Sequence, residues 1–138
     1  MSFGVNIANY AKATKLSIDD AVVAVNSELM GLVMEKTPVD SGRLVSNWIP
    51  SFDTPSNEET DSTNMSEAKA KVQNMANDSA GKVFILTNNL PYAYPLEYGL
   101  YGDGSKIING FSKKAPAGMV RVSLLEIKSG LKNFRTTR

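Results

Sequence analysis

The segment Thr37–Trp48, TPVDSGRLVSNW, joins the strongest helical pattern of the chain to a stretch that reads as extended. Pro38 disfavours helix at the residue before it, so the preceding helix ends there. Asp40 or Ser41 can accept a backbone N–H group, and Gly42 can adopt the positive φ that other residues avoid. The segment therefore predicts a corner between a helix and a strand.

A helical pattern leads into this corner. Ser17 is a suitable N-cap, and acidic residues follow it at positions where the helix dipole favours negative charge. The apolar residues have the spacing of one helix face: Ile18, Val22, Val25, Leu29 and Val33. These features predict one amphipathic helix over residues 17–36.

The chain after the corner alternates between ordered and polar stretches. Residues 44–52 are predicted to be extended, with Trp48 half in the core and anchoring the strand under the helix. Residues 53–65 contain almost no apolar side chain, so a mobile loop is expected there. A second helix is predicted to open at Ser66, and the continuous apolar run within 82–88 predicts a strand.

The two ends of the chain carry further predictions. Residues 1–16 fit either an arm or a short helix, and residues 135–138 are polar and expected to fray. A closing helix is predicted to start near Pro116. Its predicted apolar side consists of Met119, Val122, Leu125 and Leu131.

Composition narrows the classes of function. The chain has 138 residues, of which 42% are hydrophobic and 21% charged, which predicts a single globular domain over 1–138. The absence of Cys and His excludes disulfide scaffolds, thiol nucleophiles, Ser-His-Asp triads and imidazole metal sites. No catalytic residue, cofactor or metal is predicted. The net charge of +1 does not call for a nucleic acid or an anionic membrane as partner.

Two further features bear on location. The longest apolar runs are only a few residues, too short to span a bilayer. The N-terminus lacks the apolar core of a signal peptide. Synthesis and retention in a cytoplasm, without a membrane partner, are therefore expected.

A catalytic reading of the corner competes with the structural one. Val39-Asp40-Ser41-Gly42 is similar to the string that carries the catalytic carboxylate of retroviral-type aspartic proteases, which work as dimers with two carboxylates sharing a proton. Here Asp40 follows a helix, Arg43 stands where a small residue is usual, and residues 107–110 are a poor second motif. The favoured interpretation makes Asp40 a corner residue that can pair with Arg43.

The segment LPYAYPLEYG, residues 90–99, concentrates tyrosines. Tyrosine combines a large contact area with a hydroxyl group, which suits protein interfaces. Half-burial on a small core is an equally open alternative. A nucleic-acid stacking platform is less favoured, because basic residues do not alternate with the aromatic ones.

Three separated motifs, in order, resemble tailed-bacteriophage neck and tail-completion proteins of the HK97 gp10-like family: TPVDSGRLVSNW, VFILTNNLPYAYPLEYG and KKAPAGMVRVSL. The resemblance covers roughly residues 17–130. Two departures are Ser41 in place of the commoner Thr and a longer link over residues 100–114.

The resemblance implies an α+β fold, with a small curved antiparallel sheet packed by a long N-terminal helix and a C-terminal helix. It implies a non-enzymatic head–tail connector or tail-completion subunit, with a head-closure stopper or a minor tail protein as alternatives. The subunits would form a homo-oligomeric ring in the neck or upper tail of the virion, with a hexamer favoured and a dodecamer as the alternative. DNA would pass through the lumen without sequence-specific binding, and other connector, tail-tube or terminator proteins would be partners.

The same interpretation assigns roles to individual residues. Pro38, Asp40, Gly42, Arg43 and Trp48 would hold the corner. A second set would line or brace a subunit contact: Tyr92, Glu97, Tyr98 and Gly99. A nucleic-acid-binding module and the peptidase dimer are the competing functions from other classes.

Overall fold

The computed structural model of the chain describes residues 3–102 and 104–132. In chain order these residues form α1 (Phe3–Thr14), α2 (Ile18–Lys36), α3 (Arg43–Ser46), β1 (Ile49–Phe52), α4 (Met65–Asn77), β2 (Phe84–Thr87), α5 (Ala93–Tyr98), β3 (Ile107–Ile108), β4 (Phe111–Ser112) and α6 (Val120–Lys132). The α+β class is therefore confirmed, and α1 settles residues 3–14 as a helix. The tail expected to fray, 135–138, lies outside the described residues.

The long helix α2 forms as its sequence predicts. Ser17 caps it, because the side-chain oxygen of Ser17 accepts the N–H group of Asp20 at 3.1 Å. At the other end, Thr37 is extended and its hydroxyl donates to the Val33 carbonyl at 2.7 Å. The indole N–H of Trp48 donates to that same hydroxyl at 2.8 Å. Trp48 is only 6% exposed, so it is more deeply buried than predicted and ties the corner to the end of α2.

The strands pair in two small antiparallel ladders within the described residues. β1 pairs with β2, with Ile49 opposite Thr87 and Phe52 opposite Phe84. β3 and β4 form a separate hairpin. The antiparallel pairing agrees with the expectation, but the sheet is divided into two pieces of two strands each.

The prediction of an extended segment over 44–52 is wrong for its first part. Residues 43–46 make one turn of helix, α3, and the strand begins only at Ile49. Gly42 reverses the chain with φ of +95°, as predicted. The amide of Asn47 then closes the turn by donating to the Arg43 carbonyl at 2.8 Å. A short side-chain-capped turn of this kind leaves no periodic pattern in the sequence.

The apolar side of α6 also differs from the prediction. Leu125 is 63% exposed and Val122 is half-buried. The buried positions are Ser123, Ile127 and Leu131, which are spaced by four. Ser123 can face the core because its hydroxyl donates to the carbonyl four residues earlier. The predicted burial of Met119 and Leu131 is confirmed. A prediction from hydrophobicity alone passes over the serine and places Val122 and Leu125 on the apolar side in error.

The core has a larger and a smaller cluster. The larger one collects residues from the helices after α1 and from the loops beside them: Met30, Val33, Met34, Leu44, Val45, Trp48, Val72, Leu90, Ala93, Leu96, Ala115 and Met119. The smaller one joins Val25 of α2 to Ile127 and Leu131 of α6, with Ile7 and Tyr10 of α1 packed against it. Of the two helices predicted to pack the fold, α2 contributes to both clusters, whereas α6 contributes only to the smaller one; Met119 of the larger cluster lies just before α6.

The polar stretch expected to be a mobile loop has no helix or strand over 53–64. Asn47, which is fully buried, nevertheless holds it at one point. Its amide nitrogen donates to the Thr60 carbonyl at 2.9 Å, and its oxygen accepts the Thr60 N–H group at 3.0 Å. We call this set of contacts, with the bond to Arg43, the Asn47 clasp. Asn89 holds the loop at two further points, the carbonyls of Ser56 and Glu58. Hydrogen bonding thus compensates for missing apolar burial, and mobility of the loop stays a prediction only for residues without such bonds.

Candidate functional site

Glu97, at the end of α5, holds the beginning of α6. Its carboxylate accepts the backbone N–H groups of Met119 at 2.7 Å, Val120 at 2.8 Å and Arg121 at 3.1 Å. It also accepts the side-chain Nε–H of Arg121 at 3.0 Å. Arg121 in turn donates from a terminal nitrogen to the Glu97 carbonyl at 2.7 Å. We call this arrangement the Glu97 clasp.

The clasp follows from the chemistry of a helix N-terminus. The first N–H groups of a helix have no partner within the helix, and they form its positive end. The first turn of α6 contains no acidic residue, so the negative charge comes from α5 instead. Gly118, with φ of +87°, permits the close approach, because a Cβ atom there would lie 2.7 Å from the Glu97 carbonyl oxygen.

The clasp also sets the charge state of Glu97. Burial raises the pKa of this carboxyl, but the hydrogen bonds from Val120, Met119 and Arg121 outweigh burial and hold the pKa below its ordinary value of 4.5. Glu97 is therefore ionised at neutral pH, and its charge is matched by a helix end and a guanidinium.

An exposed aromatic surface lies next to the Glu97 clasp. The rings of Tyr94 and Tyr98 have centroids 4.6 Å apart, and the Arg121 guanidinium lies 4.4 Å from the centroid of Tyr98. Tyr94 is 64% exposed and Tyr98 45% exposed. Leu125 lies one turn beyond Arg121 on the same side of α6. We call these four residues the aromatic–arginine face.

This face has the composition of a protein interface. Tyrosine and arginine are enriched at interface centres, where they contribute much of the binding energy. The clasp fixes Arg121 through its backbone and side chain, and Arg121 in turn stacks on Tyr98. The face is therefore ordered before any partner binds, which lowers the entropic cost of association.

The four residues predicted to contact a subunit lie in different environments. Tyr98 is exposed, as a contact residue must be. Glu97 is only 7% exposed, so the prediction that it lines a contact is corrected: its carboxylate serves its own chain and can only brace Tyr98 and Arg121. Gly99 ends α5 with φ of +67°, and a Cβ atom there would overlap the Phe111 ring. Tyr92 is half-buried and lies outside the face.

The predicted corner residues come together, but with one different partner. Asp40 is exposed, and within the described residues its carboxylate has no hydrogen bond or ion pair. The corner N–H group, that of Arg43, is accepted by Ser41 at 3.2 Å. The predicted Asp40–Arg43 pair is wrong, because Arg43 turns toward the loop and pairs with Asp61 at 3.3 Å. Its Nε–H also donates to the Thr60 carbonyl.

A groove of about 520 Å³ lies where the corner meets the middle of the second motif and the start of the third. We call it the corner groove. Its lining includes Pro38 and Asp40 from the corner, Tyr92 from the tyrosine segment, and Lys113 and Lys114 from the third motif. The three motifs that are separated in the sequence thus share one region of the fold.

Sequence reasoning missed several parts of this site. Tyr94 and Leu125 were not singled out as exposed, and Asn47 was not considered. One signal was available for Glu97: a helix that starts after Gly118 without an acidic first turn needs an anion from elsewhere. No comparable signal marks which tyrosine faces outward.

Residues 3–102 and 104–132 contain neither a metal-binding cluster nor a membrane-spanning helix. No group of three or more Asp or Glu side chains there is placed to hold a metal ion. No helix in that part of the chain is long and apolar enough to cross a membrane. Comparisons with protein-family models, curated proteins and solved structures gave no match to this chain.

Proposed function

We propose that this chain is a non-enzymatic structural subunit of a tailed-bacteriophage virion, a tail-completion or head–tail connector protein that forms a ring around the DNA channel. The observation that carries the proposal is the aromatic–arginine face. Tyr94, Tyr98 and Leu125 are large side chains left exposed, and the buried Glu97 holds Arg121 of the same face against Tyr98. A rigid, solvent-exposed aromatic surface is suited to contact with another protein.

The convergence of the motifs supports the same proposal. Asn88 of the second motif donates to the Leu44 carbonyl of the first at 2.9 Å. Glu97 of the second motif binds the N–H groups of Met119 to Arg121 in the third. Residues that carry the family resemblance are therefore in direct contact in the fold, as one shared structural unit requires.

A ring subunit needs two different surfaces that meet when copies are related by rotation. The aromatic–arginine face is proposed as one such surface. A closed ring of six copies is favoured, with twelve as the alternative, and DNA passes through it without sequence-specific contacts. A head-closure stopper or a minor tail protein is the alternative role.

Other connector, tail-tube or terminator proteins are the proposed partners. The protein is made in the host bacterial cytoplasm before it enters the virion. No cofactor is required.

The first experiment counts copies of the chain in purified virus particles by quantitative peptide mass spectrometry. A small fixed number, on the order of one closed ring per particle, is expected. Absence of the chain from mature particles would overturn the proposal. In that case the Asp40→Asn variant tests the peptidase alternative, since only that function requires the carboxylate.

A matched pair of variants then tests the face. Tyr98→Ala is expected to reduce incorporation into particles and infectivity at least tenfold, because truncating an interface centre removes much of its binding energy. Ile18→Ala is the control, since Ile18 is also exposed but begins α2. If both variants are incorporated equally, the aromatic–arginine face is not a contact between subunits.

A further inference from the structure

The corner groove combines an apolar floor with a basic rim. Leu44, Leu96 and Ile107 contribute apolar lining, and Lys106, Lys113 and Lys114 contribute positive charge. Lys114 is held at the rim by donating to the Val39 carbonyl at 3.4 Å. Among the described residues that line the groove, three are lysines and Asp40 is the one acidic residue, so these residues carry an excess of positive charge. Its volume of about 520 Å³ is that of a cleft able to take a short stretch of chain.

The complementary chemistry is present elsewhere in the same chain. Between Arg43 and Lys69 the sequence has no basic residue but five acidic ones, four of them within residues 53–61. We call residues 53–61 the acidic segment. Its carboxylates at Asp53, Glu58, Glu59 and Asp61 are exposed, and so is Pro55, which offers an apolar surface beside them.

The acidic segment cannot occupy the groove of its own copy in this structure. The buried Asn47 donates a hydrogen bond to the Thr60 carbonyl. Asn89 donates to the carbonyls of Ser56 and Glu58 at 2.9 and 3.0 Å. No residue of the acidic segment lines the groove. The same anchors hold the backbone of the segment. Asp53 and Asp61 contact Val83 and Arg43 of their own chain, whereas Glu58 and Glu59 are exposed and available to a neighbouring molecule.

We propose that the corner groove of one copy binds the acidic segment of a second copy of this chain. The proposal rests on the ring assembly proposed above and names one of its contacts. Groove and segment are different surfaces of one chain, so their contact is head-to-tail and can close into a ring. Pro55 lies against the apolar floor, and Glu58 and Glu59 face the lysines at the rim.

The chemistry also predicts how the contact responds to salt. Charge pairs at an exposed rim are screened when the Debye length falls from about 10 Å at 0.1 M salt to roughly 3 Å at 1 M. Complementary charge chiefly fixes the register of the contact and excludes wrong partners. The contact therefore weakens severalfold between low and high salt, while the aromatic–arginine face, which is largely apolar, responds less.

Because the chain contains no cysteine, introduced thiols report on this contact without interference. One preparation carries Glu59→Cys and another Lys113→Cys. The two full-length proteins are mixed at high concentration under mild oxidation and analysed on a non-reducing gel. A disulfide-linked heterodimer is expected, with a yield at least fivefold above that of Asp19→Cys mixed with Lys113→Cys. Asp19 is an exposed acidic residue on α2 and serves as the matched control.

Charge reversal provides an independent test that needs no thiol. Glu58→Lys with Glu59→Lys in one protein, or Lys113→Glu with Lys114→Glu in another, each abolishes self-association measured by sedimentation. A mixture of the two reversed proteins restores it, because the charges are again complementary. Restored association supports the contact; failure of the mixture to associate, together with cross-linking no better than the Asp19→Cys control, overturns it.

The outcomes separate this inference from the proposed function. Particles that contain one ring of the chain but show no link between Glu59→Cys and Lys113→Cys retain the ring and reject the groove contact. A link from Lys113→Cys to a different virion protein, with none to the acidic segment, assigns the groove to that partner and also rejects it. Absence of the chain from particles rejects the proposed ring. Cross-linking of the purified proteins remains a separate test of the contact between the corner groove and the acidic segment.

Discussion

Two buried polar side chains, Asn47 and Glu97, perform the same mechanical task in different regions of the molecule. Each joins its own element to a segment that lies far away in the sequence. Asn47 is fully buried and holds Thr60 in a loop without regular structure. Glu97 is 7% exposed and holds the first N–H groups of α6. One clasp is neutral and the other is charged.

The difference follows from what each partner segment presents. The loop offers both a carbonyl and an N–H group at Thr60, and an amide can satisfy both because it has donors and an acceptor. The start of α6 offers only N–H groups, and a carboxylate accepts several of them while its charge is stabilised by the helix end. The donors and acceptors that the partner segment presents thus determine which residue type fits at each position. Replacing that residue by one with the wrong donors or acceptors should break the clasp.

The largest effect is expected from Glu97→Ala. The variant loses four hydrogen bonds to an ionised group, and bonds of this kind contribute roughly 1.5–3 kcal/mol each without being additive. We expect the free energy of unfolding, measured with urea, to fall by about 3 kcal/mol.

Glu126→Ala is the matched control for this change. Glu126 also lies on α6, but its ion pair with Lys36 is exposed, and such pairs contribute about 0–1 kcal/mol. If the two variants lose equal stability, the Glu97 clasp has no special importance for the fold.

Asn47→Asp is expected to have the next largest effect. The substitution keeps the shape but replaces the donating amide by an oxygen that faces the carbonyls of Arg43 and Thr60. We expect a loss of about 2 kcal/mol at pH 7, since buried carbonyls lose their donor and an ionised group replaces it. Hydrogen exchange of the Thr60 N–H group should also accelerate.

Asn74→Asp makes the same chemical change on the exposed side of α4 and should leave both quantities unaltered. Unchanged exchange at Thr60 in the Asn47→Asp variant would show that the loop is held by other contacts.

The comparison also shows how far the sequence could predict the molecule. The helix α2 was predictable because its periodicity, its Ser17 cap and the following Pro38 all lie within one continuous stretch. The clasps were not predictable, because Asn47 and Glu97 find their partners 13 and 22 to 24 residues away, across loops that carry no periodic signal. Local patterns report local structure, and these contacts depend on the finished fold.

The tyrosine segment illustrates the same limit at the candidate site. The clustering of tyrosines makes residues 92–98 a candidate contact segment, and that role stays a prediction. The clustering could not say that Tyr92 lines the corner groove while Tyr94 and Tyr98 face solvent. Neighbouring positions in a short helix point in different directions, and α5 is fixed in rotation by Gly99 and Glu97. Both anchoring contacts involve residues that follow α5 in the chain: Gly99 lies against the Phe111 ring, and Glu97 binds the start of α6.

Lowering the pH should break the hydrogen bonds of the Glu97 clasp and leave those of the Asn47 clasp intact. The pKa of Glu97 is lowered in the folded protein relative to its ordinary 4.5, so its contribution to stability is complete above that pH and is lost as the pH falls through the folded pKa. We expect hydrogen exchange at the start of α6, corrected for intrinsic rates, to lose protection below pH 4.5 while Thr60 keeps its protection. In Glu97→Gln, which cannot titrate, this acid response should be absent. Parallel loss of protection at both clasps would indicate global unfolding instead.

The smallest effects concern Arg43, which contacts the loop in two ways. Its Nε–H group donates to the Thr60 carbonyl at 3.2 Å, whereas its ion pair is with Asp61, whose side chain is 99% exposed. Exposed ion pairs often contribute nothing measurable, so Asp61→Asn should leave the free energy of unfolding unchanged. Arg43→Ala should lower it by about 1 kcal/mol, because a part-buried carbonyl loses a charged donor. Equal losses in urea unfolding for the two variants would mean that the ion pair, and not the hydrogen bond at Thr60, connects the corner to the loop.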